Sequence, residues 1–289
     1  MVTNNQIVVS VQCYTYNHAN YIRQCLDSLL MQKTNFNYEI IVHDDASNDG
    51  TEDIVREYAS QYPNIIIPIY EEENQYQKHD YTIGKKMELA SRGKYVAICE
   101  GDDYWTDANK LQKQVDFLEN NPNYVLCHHN MYYETDGKKI IRDSASIPKS
   151  QTLLELAQQN FIQTATVLYK VPPYNLVPDS LFDRPIYAHF LFMRVCEQGD
   201  VYYMDEPMSV YRLHSGGIFS QKSFARQFEM TSDNIGLMVR WYKGKNDKVL
   251  IALKKRLRRS CLQYAFAAIK RLNFIDAVKI LTYYNKNNF

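Results

Sequence analysis

The sequence predicts an α/β fold, a mixed but mainly parallel sheet flanked by helices, followed by a C-terminal helical extension. Three observations predict it. Short apolar runs alternate with amphipathic helical segments through the first 120 or so residues, which is the rhythm of βαβ units. After Pro122 strand-like runs follow one another around a polar loop, and beyond about residue 220 only helical periodicity remains. The expected organisation is a main domain over residues 1–219 and a helical extension over 220–289.

The elements follow in order. Residues 7–11 are a short apolar run suited to a buried strand. Ile22, Cys25, Leu26, Leu29 and Leu30 then fall on one helical face, predicting a helix over 21–33. Residues 39–43 make the next strand, and Ile54, Val55 and Tyr58 a second helix after the Asp49-Gly50 turn. The run 64–70 is a strand whose Pro68 places it near an edge or bend. A short helix ends at 87–91, Gly93 punctuates, and residues 95–99 form another strand. Leu111, Val115 and Leu118 mark a helix that stops before Asn121-Pro122. Strands are then expected at 124–128, 131–135 and 165–169, and a helix over 186–198 closed by Gly199.

Composition narrows the function. Lysine and arginine total 33 against 33 aspartates and glutamates, so no general pull toward nucleic acid is expected. Six well-separated cysteines, with no C-x-x-C pair, read as reduced buried thiols of a cytoplasmic protein. The first residues lack the pattern of a signal peptide, and no apolar run approaches the roughly 20 residues of a membrane span. The 24 tyrosines offer rings for stacking on sugars and bases, although most are expected simply to pack.

Two acidic clusters fall where a parallel sheet binds its ligand, beyond the carboxyl ends of strands. Asp44-Asp45 follows one strand, and Glu100-Gly101-Asp102-Asp103 follows another. Neighbouring carboxylates repel, so their retention points to a cation or hydrogen-bond donors nearby. Hard divalent ions take such oxygens together with those of phosphates, and can offset charge on a departing diphosphate. The competing reading is a set of solvated turn formers, and Asp49-Gly50 is read that way.

The runs VVSVQCYTYNHANYIRQCLDSLLMQ, EIIVHDDASNDGT and GKYVAICEGDDYWTDANKLQKQVDFLE, in that order and spacing, resemble the family 2 glycosyltransferases. The likeness covers about residues 7–220 and is greatest to bacterial members that build capsular and other surface polysaccharides. It also takes in Glu73-Asn74-Gln75-Tyr76 and the Tyr211–Gly217 run, YRLHSGG. The resemblance implies the GT-A fold, a Rossmann-like sheet that binds nucleotide-diphospho-sugars. It implies inverting, divalent-metal-assisted transfer (Mn²⁺ or Mg²⁺) from a donor, UDP-sugar foremost, to a saccharide or lipid-linked acceptor. Tyr16 would stack on the base, with Tyr14 lining the same pocket and Asp45 accepting a hydrogen bond from the base. Asp102 would contact ribose or metal, Asp103 would ligate the ion, and His214 would be a further ligand to ion or diphosphate. Asp44 is left to shape the turn, and Lys85 and Lys86 to a solvated helix face.

One departure stands out. Counting back from Gly199, the position where the family carries its general-base aspartate falls on Ala188. His189, adjacent and of near-neutral intrinsic pKa, is the first replacement, and Asp183 the second. The missing carboxylate also raises an alternative, a catalytically impaired protein of the same fold that only binds nucleotide-sugar. A nucleotidyltransferase is set aside, because residues 14–20 hold neither glycine nor lysine for a phosphate loop. In residues 249–272, Leu250, Leu253, Leu257, Leu262 and Ala265 sit among many basic residues. Packing of that helix is the favoured reading, against peripheral contact with the inner membrane face.

Overall fold

The structure, a computed structural model, describes residues 6–214, 216 and 222–287. In chain order these form β1 (Ile7–Thr15), α1 (Ile22–Leu30), β2 (Asn37–Asp44), α2 (Thr51–Gln61), β3 (Ile66–Tyr70), α3 (Thr82–Ala90), β4 (Tyr95–Ile98), β5 (Tyr104–Trp105) and α4 (Lys110–Asn120). There follow β6 (Tyr124–Thr135), β7 (Lys138–Ile141), β8 (Ser150–Gln151), α5 (Leu153–Gln158), β9 (Leu168–Lys170), α6 (Ala188–Val195), β10 (Asp200–Arg212), α7 (Phe224–Tyr242), α8 (Asp247–Lys270) and α9 (Phe274–Asn287).

The chain forms two compact units. The first holds the described residues up to Ser150, with Ile162–Ile186 and Arg194–Arg212; the second holds Gln151–Phe161, Tyr187–Met193 and the described residues from Leu213 onward. Two short segments from the middle of the sequence thus group with the helical extension.

In the first unit the sheet runs β3-β2-β1-β4-β9-β6-β10-β5, with β7 beside β6. β3, β2, β1 and β4 are parallel neighbours. β9 is antiparallel to β4 and β6, while β10 is parallel to β6. Strand order reverses at β1, whose successor in sequence lies on one side and β4 on the other. Such a reversal opens a crevice beyond the carboxyl ends of the strands. Val9, Val11 and Cys13 of β1 pack with Ile40 and Val42 of β2 and Ala97 of β4 in one buried cluster, joined by Cys25, Leu26 and Leu29 of α1. On the other face, buried Glu39 accepts from Ser10 Oγ at 2.6 Å and from Arg92 Nε at 2.7 Å.

Several elements differ from the sequence expectation. Residues 124–135 form one strand rather than two, because the polar His128, His129 and Asn130 are buried within the sheet instead of breaking it. The expected strand 165–169 is a 3-10 turn, Thr164–Thr166, followed by β9. β10 was not expected: Asp205-Glu206-Pro207 interrupts its pattern, and its register against β6 shifts there. α5 spans only six residues and is fixed by a capping box in which Thr152 and Glu155 bond each other's backbone.

The second unit is helical apart from its links. Ser223 caps α7 and Asn246 caps α8 through side-chain acceptors. Phe228, Ile235 and Met238 of α7, Leu253, Leu257 and Ala265 of α8, and Ala277 and Ile280 of α9 are buried. All six cysteines are free and buried. No helix among the described residues is long and apolar enough to cross a membrane.

Candidate functional site

The site is built at the end of β1. The N–H of Asp45 donates to the Thr15 carbonyl at 3.0 Å, and the N–H of Gly101 donates to the Tyr14 carbonyl at 2.8 Å. Consecutive residues of one strand therefore hold both acidic loops at the same strand end. Gly101 is required by this arrangement. A Cβ there would stand 2.7 Å from Thr15 Oγ1 and 3.0 Å from His18 Nδ1.

In the first loop Asp44 shapes the turn, as expected. Its carboxylate accepts from Ser47 N–H at 3.0 Å and Ser47 Oγ–H at 2.6 Å, around Ala46 in the left-handed region at φ 59°. Asp45 is buried, and both its carboxylate oxygens are taken: Gln75 N–H donates at 2.7 Å and Tyr76 N–H at 3.0 Å. It therefore anchors the 73–76 segment. Asn17 ties the neighbouring turn down, donating its N–H to Ser47 Oγ and accepting from Asn48 N–H. Just before it, Tyr16 keeps 40% of its surface exposed, leaving a ring face for stacking. Tyr14 is held more tightly, its hydroxyl donating to Gln12 Oε1 at 2.8 Å. Asp49 stays in the turn before α2, accepting from Thr51 N–H at 3.0 Å.

The second loop concentrates negative charge. Asp102 Oδ2 lies 3.6 Å from His18 Nε2. Asp103 is buried and its Oδ1 accepts the Arg212 N–H at 2.9 Å. Burial pushes the Asp103 carboxyl well above its ordinary range, and the charges of Glu100 and Asp102 push it further. Burial likewise raises Glu100 to about 7, against a bond from Thr164. Glu100 Oε2 is shut away from solvent without a hydrogen-bond partner. An unsatisfied carboxylate oxygen beside two more carboxylates suits a hard cation. No group of three or more possible ligands stands at metal-binding distances among the described residues.

Arg212, which sequence reasoning did not single out, organises this loop. Besides the Asp103 bond, its guanidinium donates to the Asp102 carbonyl at 2.5 Å and to Gln24. It stands 4.4 Å from the Tyr104 ring and 3.5 Å from Glu134. Its only sequence signal was its place in the run 211–217.

The catalytic candidates are placed very differently. Asp183 belongs to the first unit, follows Phe182, whose carbonyl accepts from Tyr81 N–H at 2.9 Å, and has an 81% exposed side chain 3.9 Å from Arg184. His189 belongs to the second unit and is buried, with Nδ1 3.3 Å from an Arg256 guanidinium nitrogen. Arginine can only donate, so that ring nitrogen is the acceptor and the imidazole is neutral. Burial, and then the Arg256 charge, hold its pKa well below the usual value. A base whose lone pair is occupied and whose basicity is suppressed is poorly suited to proton abstraction. His214 is also in the second unit, where Nδ1 accepts the Gly216 N–H at 3.3 Å. Of the expected residues, Tyr14, Tyr16, Asp45, Asp102, Asp103 and Asp183 share the first unit; His189 and His214 do not. Lys86, expected on a solvated face, instead pairs with Glu71 at 2.6 Å, and Glu71 also meets His43 at 3.0 Å.

Comparison with known proteins places this geometry. An uncharacterised protein of Mycobacterium tuberculosis is 37% identical over 214 residues, 73% of this chain and 60% of that protein. The chain thus matches less than two thirds of that relative's length. TuaG of Bacillus subtilis, named for teichuronic acid biosynthesis, is 37% identical over 117 residues, 40% of this chain and 44% of its own. Among solved structures, the mannosyltransferase PcManGT of Pyrobaculum calidifontis, in complex with GDP-Man and Mn²⁺, superposes with a TM-score of 0.62 at 17% identity, over 97% of this chain and 76% of its own. Staphylococcus aureus TarS (1–349) with UDP-GlcNAc gives 0.59 at 16%, over 97% and 92%. These structural likenesses establish the GT-A fold. The sequence model of Glycosyl transferase family 2 matches residues 10–184, and the chain belongs to that family.

Proposed function

We propose that this protein transfers a sugar, with inversion, from a nucleoside diphosphate sugar, UDP-sugar foremost, to a saccharide or lipid-linked acceptor in surface polysaccharide synthesis. The observation that carries the proposal is the fastening of both acidic loops to Tyr14 and Thr15 of a single strand end. It is supported by the nucleotide-sugars in the structures of TarS and PcManGT and by the pathway in TuaG's name.

In this reading Tyr16 stacks on the base and Tyr14 walls the pocket. Asp45 serves the base through the 75–76 backbone that it fixes. Asp102 and Asp103 would hold a divalent cation, Mn²⁺ or Mg²⁺, with diphosphate oxygens completing its shell. When bound, that ion supplies positive charge against the departing diphosphate. Arg212 keeps the Asp102–Asp103 backbone in place for it. Asp183, solvent-facing and in the same unit, is the base that takes the acceptor hydroxyl's proton as the sugar carbon is attacked.

The experiment is transfer and donor hydrolysis across a panel of nucleotide-sugars with Mn²⁺. Wild-type protein is expected to release nucleoside diphosphate, and Asp183→Asn to bind nucleotide without doing so. Nucleotide binding by wild type with no sugar released from any donor would favour the impaired, binding-only reading, which Ala188 at the head of α6 motivates.

A further inference from the structure

α8 is apolar on two faces. Val249, Leu253, Leu257, Cys261, Ala265 and Ala268 recur at helical spacing and are buried. They include Leu253, Leu257 and Ala265 of the stripe that the sequence offers to a membrane, and these pack inside the unit instead. The opposite face ought then to be polar. It is not. Ile251 (53% exposed), Leu262 (59%), Phe266 (68%) and Ile269 (44%) stand in solvent within one arc of the helix, at 11-, 4- and 3-residue intervals. α8 ends in a turn where Leu272 adopts φ 59° and is 78% exposed, while Asn273 N–H returns to the Ala268 carbonyl at 2.9 Å. α9, which packs on α8, exposes further apolar side chains, Ile275 (71%) and Val278 (63%).

Charge says what covers this surface. Residues 247–287 carry ten lysines and arginines against two acids, Asp247 and Asp276, and Asp276 is buried. Lys255 and Arg258 lie in the same arc of α8 as Leu262 and Phe266. With Arg259 and Gln263 these residues line a shallow groove of about 430 Å³. Among the described residues no carboxylate pairs with Lys255 or Arg258. Exposed aromatic and aliphatic side chains interleaved with unpaired cations match an anionic bilayer surface, where the apolar groups enter the headgroup boundary and the cations meet lipid phosphates.

We infer that the exposed face of α8 and α9 docks the protein on an anionic phospholipid membrane. The inference is independent of the proposed transfer activity, since it rests on the second unit alone.

Vesicle flotation of the full chain tests it, using phosphatidylglycerol–phosphatidylcholine vesicles and pure phosphatidylcholine vesicles. Binding is expected to the anionic vesicles, falling on the order of tenfold with Lys255→Glu/Arg258→Glu and similarly with Leu262→Ser/Phe266→Ser. All four positions are exposed, so circular dichroism melts should match wild type; the phosphatidylcholine arm should show little binding. Sedimentation velocity runs alongside. Absent binding to anionic vesicles, binding indifferent to both variant pairs, or a dimer that Phe266→Ser dissolves would each overturn the inference, the last by making this face a contact between copies.

Discussion

The two units depart from the ordinary placement of side chains in opposite directions. The first buries titratable groups: Asp103, Lys110, His128 and His129 have almost no exposure, and Glu100 Oε2 is sealed off without a hydrogen-bond partner. The second leaves Leu262, Phe266 and Ile275 in water. Both arrangements cost stability, and both are tolerated where something outside the chain completes them. Buried charge alone does not mark a site, as Lys110 shows. Its Nζ donates to Gln114 at 2.8 Å and lies 3.9 Å from the Trp105 ring, and burial lowers it to about 7. It is internally satisfied. Glu100 and Asp103 repel each other, the Arg212 charge offsets this only in part, and Glu100 Oε2 keeps no hydrogen-bond partner, unlike the Lys110 network.

The largest effect that could break this contrast is on transfer. Asp183→Asn is expected to lower kcat by about 10²–10⁴ in a transfer assay, the usual worth of a general base, with nucleotide affinity retained. His189→Asn should fall far short of that, because the ring is buried against Arg256. If the order is reversed, the base lies in the second unit. Asp103→Asn should cost a hundredfold or so in turnover, consistent with the several kcal/mol a cation contributes, and should abolish the Mn²⁺ dependence of donor binding.

A smaller effect sharpens the comparison in stability. Glu100, raised from 4.5 to about 7, binds more protons folded than unfolded in that window. Stability therefore falls as pH rises from about 4.5 to 7, and the full cost persists above it. Glu100→Gln should raise the urea midpoint at pH 8 without metal, by roughly 1–3 kcal/mol in unfolding free energy. At pH 5 most of that gain should vanish. Phe266→Ser, exposed in the other unit, should change stability by no more than about 0.5 kcal/mol in the same titration.

The half of the fold that carries the two acidic loops was legible in the sequence, because β1 to β4 alternate with helices and each strand is a mainly apolar run. The acidic clusters could be placed at strand ends for the same reason. Past Pro122 the pattern fails physically. Buried polar residues at 128–130 look like a break in β6, and Asp205-Glu206-Pro207 hides β10 behind an irregular register. Arg212 was invisible because its importance is a matter of tertiary neighbours, with Asp103 109 residues away in sequence. The intrinsic pKa that recommends His189 in the sequence is removed by its buried setting beside Arg256. The second apolar face of α8 escaped because periodicity shows that a helix has an apolar stripe, without showing which stripe the unit buries.

The measurement nearest the central claim is calorimetric titration of UDP into wild type, Asp45→Ala and Asp103→Asn, each with and without Mn²⁺. Wild type should bind with Mn²⁺ and only weakly without it. Asp103→Asn should lose the Mn²⁺ enhancement, and Asp45→Ala should bind less tightly under both conditions. Equal affinity across all three proteins, or binding indifferent to the ion, would contradict a nucleotide site assembled from the two loops that Tyr14 and Thr15 hold together.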